Sequence, residues 1–174
     1  METPSSSNFS LVHEIFILDA HLTYVLDQSK AVETTKKLVN ALLTILRMEE
    51  LGDLQIYNGL DPRAPGWSFI QPITTSHISG HYFEKPGRLP HIRMDFYSCS
   101  RVHWKKIIKI VNEHLGMADW RGTFIDRQIE PGATRHSLDI AGKGDMIVHE
   151  VPLGTHDTLS RATEAKKEEV KAAA

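Results

Sequence analysis

The sequence predicts an α+β protein: a two-layer sandwich in which a mostly antiparallel sheet carries two helices on one face. Two segments with apolar residues at helical spacing lead to this prediction, residues 29–50 and residues 101–115. Short runs rich in β-branched and aromatic residues precede, separate and follow them. The resulting order, β-α-β-β-β-β-α-β, keeps most strands next to one another in the chain, as is typical of antiparallel sheets.

The first predicted strand covers residues 11–19, and the first helix covers residues 29–50 with Ser29 as its predicted N-cap. In that helix the apolar residues share one face while the basic residues fall elsewhere. The apolar set is Ala31, Leu38, Leu42, Ile45 and Leu46. A short strand over residues 54–57 and a loop rich in Gly, Asp and Pro over residues 58–66 follow.

Three more strands are predicted over residues 67–75, 78–84 and 92–99, the last two separated by a turn at residues 85–88. In the third, apolar and polar residues alternate, which predicts one buried and one open face. The second helix covers residues 101–115, with Ser100 as its predicted N-cap.

A last strand over residues 120–127 ends the patterned part of the chain. We therefore expect a disordered N-terminus (1–10), one domain (11–128) and a partly disordered C-terminal extension (129–174). The sheet face without helices needs a cover, and a second copy of the chain is the simplest one.

Composition narrows the class of function. The chain has 174 residues, 41% hydrophobic and 24% charged, with a net charge of -2, as expected for a globular protein without a basic field for nucleic acid. No apolar run is long enough to span a bilayer, and the polar, Ser-rich start does not resemble a secretory signal. The single cysteine excludes an internal disulfide and favours a cytoplasmic location.

Chemically reactive side chains concentrate between residues 68 and 99, on strands that pairing would bring together. They are Ser68, Ser76, His77, Ser79, His81, His91 and Cys99. From the residues alone, three interpretations stay open: the polar face of a half-buried sheet, a metal site formed by the three histidines, and a Cys99–His81 nucleophile pair. No carboxylate or cysteine completes a metal-ligand spacing, so we predict no metal.

Three motifs in this stretch go further: Gly66-Trp-Ser68, the run Ser76-His-Ile-Ser-Gly-His81, and Asp95-Phe-Tyr-Ser-Cys99. Together they resemble the core of the bacterial and archaeal S-adenosylmethionine decarboxylases. Four separated functional positions coincide in order, and only the spacing between His81 and Cys99 is altered. The resemblance extends more weakly over residues 11–127 and excludes the tail.

The resemblance implies a precursor that cuts itself between Thr75 and Ser76. The Ser76 hydroxyl would attack the carbonyl of Thr75 and exchange the amide for an ester, with Ser68 assisting. His81 would remove the Cα proton of residue 76, so that the ester eliminates. Hydrolysis of the resulting dehydroalanine would then leave a pyruvoyl cofactor formed from Ser76.

The resemblance also implies how the mature enzyme works. The pyruvoyl group would form a Schiff base with the substrate, S-adenosylmethionine, and Cys99 would return a proton after loss of carbon dioxide. A buried structural thiol is the alternative for Cys99. The processed units would form a homodimer, and the product would feed polyamine (spermidine) biosynthesis.

Two departures from the family pattern concern the substrate and the cut. Phe83 matches an aromatic residue that stacks on adenine, but Glu84 lies one position earlier than the family glutamate. One position reverses the face of a strand, so either a bulge corrects Glu84 or the nucleoside contact is lost. Core packing for Phe83 and a solvated strand end for Glu84 are the alternatives. Thr75 replaces a glutamate, but the acyl shift uses its carbonyl, so we expect processing to remain feasible.

Two further functions follow from these departures. One keeps the pyruvoyl chemistry and changes the substrate to arginine or ornithine. The other is an unprocessed relative that acts as a binding or regulatory subunit.

Overall fold

The computed structural model describes residues 12–127 and 136–153. Within them the chain forms an α+β sandwich, as the sequence predicts: eight strands in one antiparallel sheet, in the order β2-β3-β4-β5-β1-β6-β7-β8, with two helices. The strands are β1 (Glu14–Leu22), β2 (Gln55–Asn58), β3 (Gly66–Ile73), β4 (Ser76–Phe83), β5 (His91–Ser98), β6 (Met117–Asp126), β7 (Ser137–Lys143) and β8 (Met146–Pro152). The helices are α1 (Ala31–Leu46) and α2 (Trp104–Leu115).

Both helices bury one apolar face against the sheet. Leu38 and Leu42 of α1 and Ile107 and Val111 of α2 are at most 1% exposed, while the lysines of both helices face solvent. Trp67 of β3 reinforces the contact, because its indole N–H donates to the hydroxyl of the buried Thr35 at 2.9 Å. This is the behaviour expected of amphipathic helices that cover a sheet.

The two predicted N-caps are wrong. A short 3-10 helix (Gln28–Lys30) precedes α1, and it is the carboxylate of Asp27 that accepts a hydrogen bond from the Ser29 N–H at 2.9 Å. Residue His103 stands at the N-cap of α2 without a side-chain bond, while the Ser100 N–H bonds to Ser98. Sequence spacing locates an amphipathic face more accurately than a helix end.

The sheet continues beyond the last predicted strand. Residues 137–152, which carry no strand prediction, form the hairpin β7–β8 on the edge of β6. Ile140 is fully buried, and a Cβ on Gly142 would lie 2.3 Å from the ring of Trp120, so only glycine permits this approach. The predicted disordered N-terminus and residues 129–135 and 154–174 of the predicted extension lie outside the described residues.

The second face of the sheet carries neither helix. Alternate residues of the central strands β4, β5, β1 and β6 lie there, and they are half-buried or exposed. One row crosses the strands from His81 through Arg93 and Asp19 to Arg121, and Arg93 pairs with Asp19 at 3.2 Å. We call this side the open face.

Candidate active site

The predicted cleavage site lies at a tight turn. Thr74 and Thr75 alone connect β3 to β4, and Ile73 pairs with Ser76 across the hairpin. Two-residue hairpins favour residues with positive φ, usually Gly or Asn. Neither threonine has a positive φ, but Ser76 has φ 144°. A serine in this region carries backbone strain of about 1–3 kcal/mol, at the residue predicted to react.

The carbonyl of Thr75 is held from the neighbouring strand. Its oxygen accepts a hydrogen bond from the main-chain N–H of Cys99 at 2.8 Å. The side chain of Thr75 is held too, because the hydroxyl of the buried Ser98 donates to the Thr75 hydroxyl at 2.9 Å. A fixed N–H donor on a carbonyl stabilises negative charge that develops on its oxygen.

A histidine lies beside the Ser76 hydroxyl. The Oγ atom of Ser76 is 3.2 Å from Nδ1 of His77. The His77 ring packs edge-on against Tyr97, with 5.9 Å between ring centroids, and the Tyr97 hydroxyl bonds to Nδ1 of His13 at 2.9 Å. His77, Tyr97 and His13 lie outside the set of residues to which the resemblance gives a role in catalysis or cleavage at Ser76.

Ser68 and His81 form a second polar pair. They are register partners on β3 and β4, and Ser68 Oγ is 2.7 Å from His81 Nδ1. The contact is exposed to solvent on the open face. A hydroxyl bonded to an imidazole can pass a proton, as the predicted processing roles require.

The residues around Ser76 and the Ser68–His81 pair lie at different places along β4. Because β4 runs without a register shift, the five residues from Ser76 to His81 span about 16 Å. Thr75, Ser76 and Cys99 are therefore together, and Ser68 and His81 are together, but one chain does not bring both groups to one point.

Phe83 lies farther still from Ser76, about 23 Å along the strand. It lines a cavity of about 680 Å³ at the other end of the sheet, and its ring meets His91 edge-on at 4.1 Å between centroids. Burial, helped by the charges of Arg93 and His21, lowers the pKa of His91. His21 is the register partner of His91 on β1, and its Nδ1 lies 2.8 Å from the carboxylate of Asp119.

Glu84 lines the same cavity, but its carboxylate has another contact. No bulge interrupts β4, and the Tyr82 hydroxyl donates to Glu84 at 3.0 Å. Tyr82 is 1% exposed on the helix side, and burial raises the pKa of its hydroxyl. The expected bulge that would correct the one-position offset of Glu84 is therefore absent from β4.

Sequence reasoning considered His77 only as part of a polar sheet face or as a metal ligand. Alternation places Ser76 and His77 on opposite faces of a regular strand, but Ser76 has a positive φ and its hydroxyl meets the imidazole. The adjacency of the two residues was the only available signal. Within residues 12–127 and 136–153, no three His, Cys, Asp or Glu side chains are arranged to hold a metal ion.

Two comparisons with known proteins bear on this site. The family model described as S-adenosylmethionine decarboxylase matches residues 21–128, which is more than half of the chain and includes both polar groups and the cavity-lining Phe83. No curated protein matches the sequence. No helix among the described residues is long and apolar enough to cross a membrane. Because the family model matches more than half of the chain, including the hairpin with Ser76 and the residue Cys99 that follows β5, the chain belongs to the S-adenosylmethionine decarboxylase family.

Proposed function

We propose that this chain is a self-processing, pyruvoyl-dependent decarboxylase of S-adenosylmethionine, with Ser76 as the precursor of the pyruvoyl group. One observation carries the proposal: a strained serine at a two-residue turn, with the preceding carbonyl held by the Cys99 N–H at 2.8 Å. Peptide bonds resist attack by a hydroxyl, and strain next to a fixed oxyanion donor is what lowers that barrier.

Processing takes place in successive chemical steps, an acyl shift followed by an elimination and a hydrolysis. The Ser76 oxygen attacks the Thr75 carbonyl, whose oxygen becomes negative and is stabilised by the Cys99 N–H. After the amide has become an ester, a base removes the Cα proton of residue 76, and elimination releases the chain that ends at Thr75. Hydrolysis of the dehydroalanine left at position 76 then releases ammonia and gives the pyruvoyl group. His81, bonded to Ser68, is suited to the base role because neutral imidazole accepts protons near neutral pH.

The residues fit a pyruvoyl group formed at position 76. Such a group supplies a carbonyl that withdraws electrons when the substrate loses carbon dioxide. Cys99, which is free and half-buried one residue beyond β5, would donate the proton to the substrate carbon.

The site needs a second copy of the chain. His81 lies about 16 Å from Ser76 in the same strand, too far for direct proton transfer. Two chains packed open face to open face around a two-fold axis perpendicular to β4 would run their β4 strands in opposite directions. His81 and Phe83 of one chain would then lie towards Ser76 of the other, twice. We propose a homodimer in which each active site draws on both chains.

Intact mass under denaturing, reducing conditions tests processing. We expect two fragments separated between Thr75 and Ser76, with a pyruvoyl-blocked second fragment, and a single uncut chain for Ser76→Ala. A wild-type chain that stays whole on long incubation, with a cooperative melting transition, would instead favour the unprocessed relative, for which Thr75 is the motivating residue.

Release of labelled carbon dioxide from carboxyl-labelled S-adenosylmethionine tests the substrate. Processed protein should release it, with decarboxylated S-adenosylmethionine as the aminopropyl donor for spermidine synthesis. The free Cys99 fits a reducing compartment such as the cytoplasm.

Arginine or ornithine is a second candidate substrate, and the Glu84 contact favours including it. The Glu84 carboxylate is engaged by Tyr82, so the nucleoside contact expected of this glutamate is weakened. Turnover of arginine or ornithine by processed protein that leaves S-adenosylmethionine untouched would decide for this candidate. If only S-adenosylmethionine is turned over, the candidate is eliminated.

A further inference from the structure

We propose that His77 is the general base that activates the Ser76 hydroxyl for the acyl shift, a step distinct from the elimination assigned to His81. This inference rests on the proposed self-processing. Its central observation is the contact between Ser76 Oγ and His77 Nδ1 at 3.2 Å. A candidate base must first lie within hydrogen-bond reach of the proton it takes, and His77 does.

The backbone makes this contact possible. On a regular strand neighbouring side chains point to opposite faces, so Ser76 and His77 would diverge. With φ 144°, Ser76 departs from that pattern at the first position of β4. The same residue therefore strains the backbone next to the bond to be broken and has its hydroxyl at the imidazole.

The other histidine with a processing role is occupied elsewhere. Nδ1 of His81 bonds to Ser68 at 2.7 Å, and His81 lies about 16 Å along the strand from Ser76. His77 meets the hydroxyl within the same chain, before any partner binds.

The surroundings fix the orientation of the His77 ring. Tyr97, its register partner on β5, packs edge-on against it, and Tyr97 is itself held by a bond to His13 at 2.9 Å. The guanidinium of Arg127 stacks on the Tyr97 ring at 4.8 Å. A ring braced in this way keeps Nδ1 towards the serine.

The proton and the bonds balance without any co-reactant. His77, with its own proton on Nε2, takes the Ser76 hydroxyl proton on Nδ1 as Oγ forms a bond to the Thr75 carbonyl carbon. The tetrahedral oxygen is stabilised by the Cys99 N–H. The carbon–nitrogen bond then breaks, and the Ser76 nitrogen takes the proton from Nδ1. The product is an ester on Oγ with a free amine, and His77 returns to its starting form.

Hydroxylamine separates the two histidines, because it cleaves esters far faster than amides. In full-length His81→Ala the ester forms and cannot eliminate, so hydroxylamine should split the chain between residues 75 and 76. In the double variant His77→Asn/His81→Ala, the hydroxylamine-dependent fragments should appear on the order of 100-fold more slowly or not at all. Asparagine keeps a polar atom near the Nδ1 position but cannot take the proton.

The matched control is His114→Asn, in α2 on the helix side, in the same His81→Ala background; its ester should form at the parent rate. His77→Gln serves as a second variant, and melting curves identify the variants that fold. A folded variant without an imidazole at position 77 that forms ester at the parent rate overturns the inference. If neither the wild type nor His81→Ala yields fragments with hydroxylamine, the proposed function itself fails.

Discussion

Single side chains decide what the hairpin around Ser76 can do. Thr75 replaces the residue expected there, yet both its carbonyl and its hydroxyl have partners on the adjacent strand, Cys99 and Ser98. A threonine can therefore be held at this position by two hydrogen bonds, one to its carbonyl oxygen and one to its hydroxyl. The strained backbone conformation lies at the next residue, Ser76.

Tyr82 shows how one buried hydroxyl connects distant segments. It accepts a hydrogen bond from the Leu26 N–H at 2.9 Å and donates to Glu84. We predict that Tyr82→Phe lowers the free energy of unfolding by about 1–3 kcal/mol, because it leaves a buried N–H without a partner.

Urea denaturation measures this change. Tyr57→Phe, which removes a hydroxyl from a side chain that is 64% exposed, is the matched control and should change stability little. Equal stability of the two variants would contradict the assigned hydrogen bond.

His91 gives the fold a pH dependence. Burial lowers its pKa in the folded chain, while the unfolded chain takes a proton there at about pH 6.5. The stability is therefore complete above that pH and falls as the pH drops towards the lowered folded-state pKa. We predict that His91→Gln flattens the loss of stability between about pH 7 and pH 5.5.

Urea midpoints of wild type and His91→Gln at several pH values test this. The comparison isolates His91, since every other titrating group is shared by the two proteins. Parallel pH profiles would show that the His91 pKa does not change on folding.

At the scale of elements, the hairpin β7–β8 belongs to the sheet. It adds the fully buried Ile140, the indole N–H of Trp120 donates to the Gly144 carbonyl at 2.9 Å, and Lys105 of α2 pairs with Glu150 at 3.2 Å. These contacts extend the helix-side core past residue 128, where the family match ends.

We predict that Ile140→Ala destabilises the whole domain by about 2–5 kcal/mol, because it opens a cavity in a packed core. The matched control is Val148→Ala on β8, whose side chain is 60% exposed and should matter little. Thermal and urea unfolding should show one transition that shifts in Ile140→Ala. A normal global transition with local loss of only the hairpin would mean that β7–β8 folds independently.

For the whole molecule, the arrangement of the two polar groups predicts complementation between chains. Ser76→Ala removes the nucleophile, and His81→Ala removes the predicted base for elimination. If each site uses Ser76 of one chain and His81 of the other, a mixed dimer of the two variants keeps one complete site.

We therefore predict that co-expressed Ser76→Ala and His81→Ala chains yield cleaved His81→Ala chains, although neither variant cleaves alone. Intact masses identify which chain is cut. Sedimentation equilibrium of each variant provides the control for dimer formation. Absence of cleavage in verified mixed dimers would mean that the two groups do not meet across an interface.

The amino-acid sequence by itself determined the fold class and most elements, because helical periodicity and strand alternation are local properties. Residues 92–99 and 101–115, for example, correspond to β5 and α2 within three residues. The motifs also identified the family, and they predict Ser68, Ser76, His81 and Cys99 as its reactive residues. Their individual roles stay predictions.

The tertiary structure decided what depends on contacts between distant residues. The hairpin β7–β8 lacked a pattern because one of its strands is exposed along almost its whole length. The separation of Ser76 from His81 follows from the uninterrupted register of β4 with its neighbours. The approach of Ser76 to His77 depends on one φ angle, and a backbone angle set by its surroundings is invisible to residue spacing.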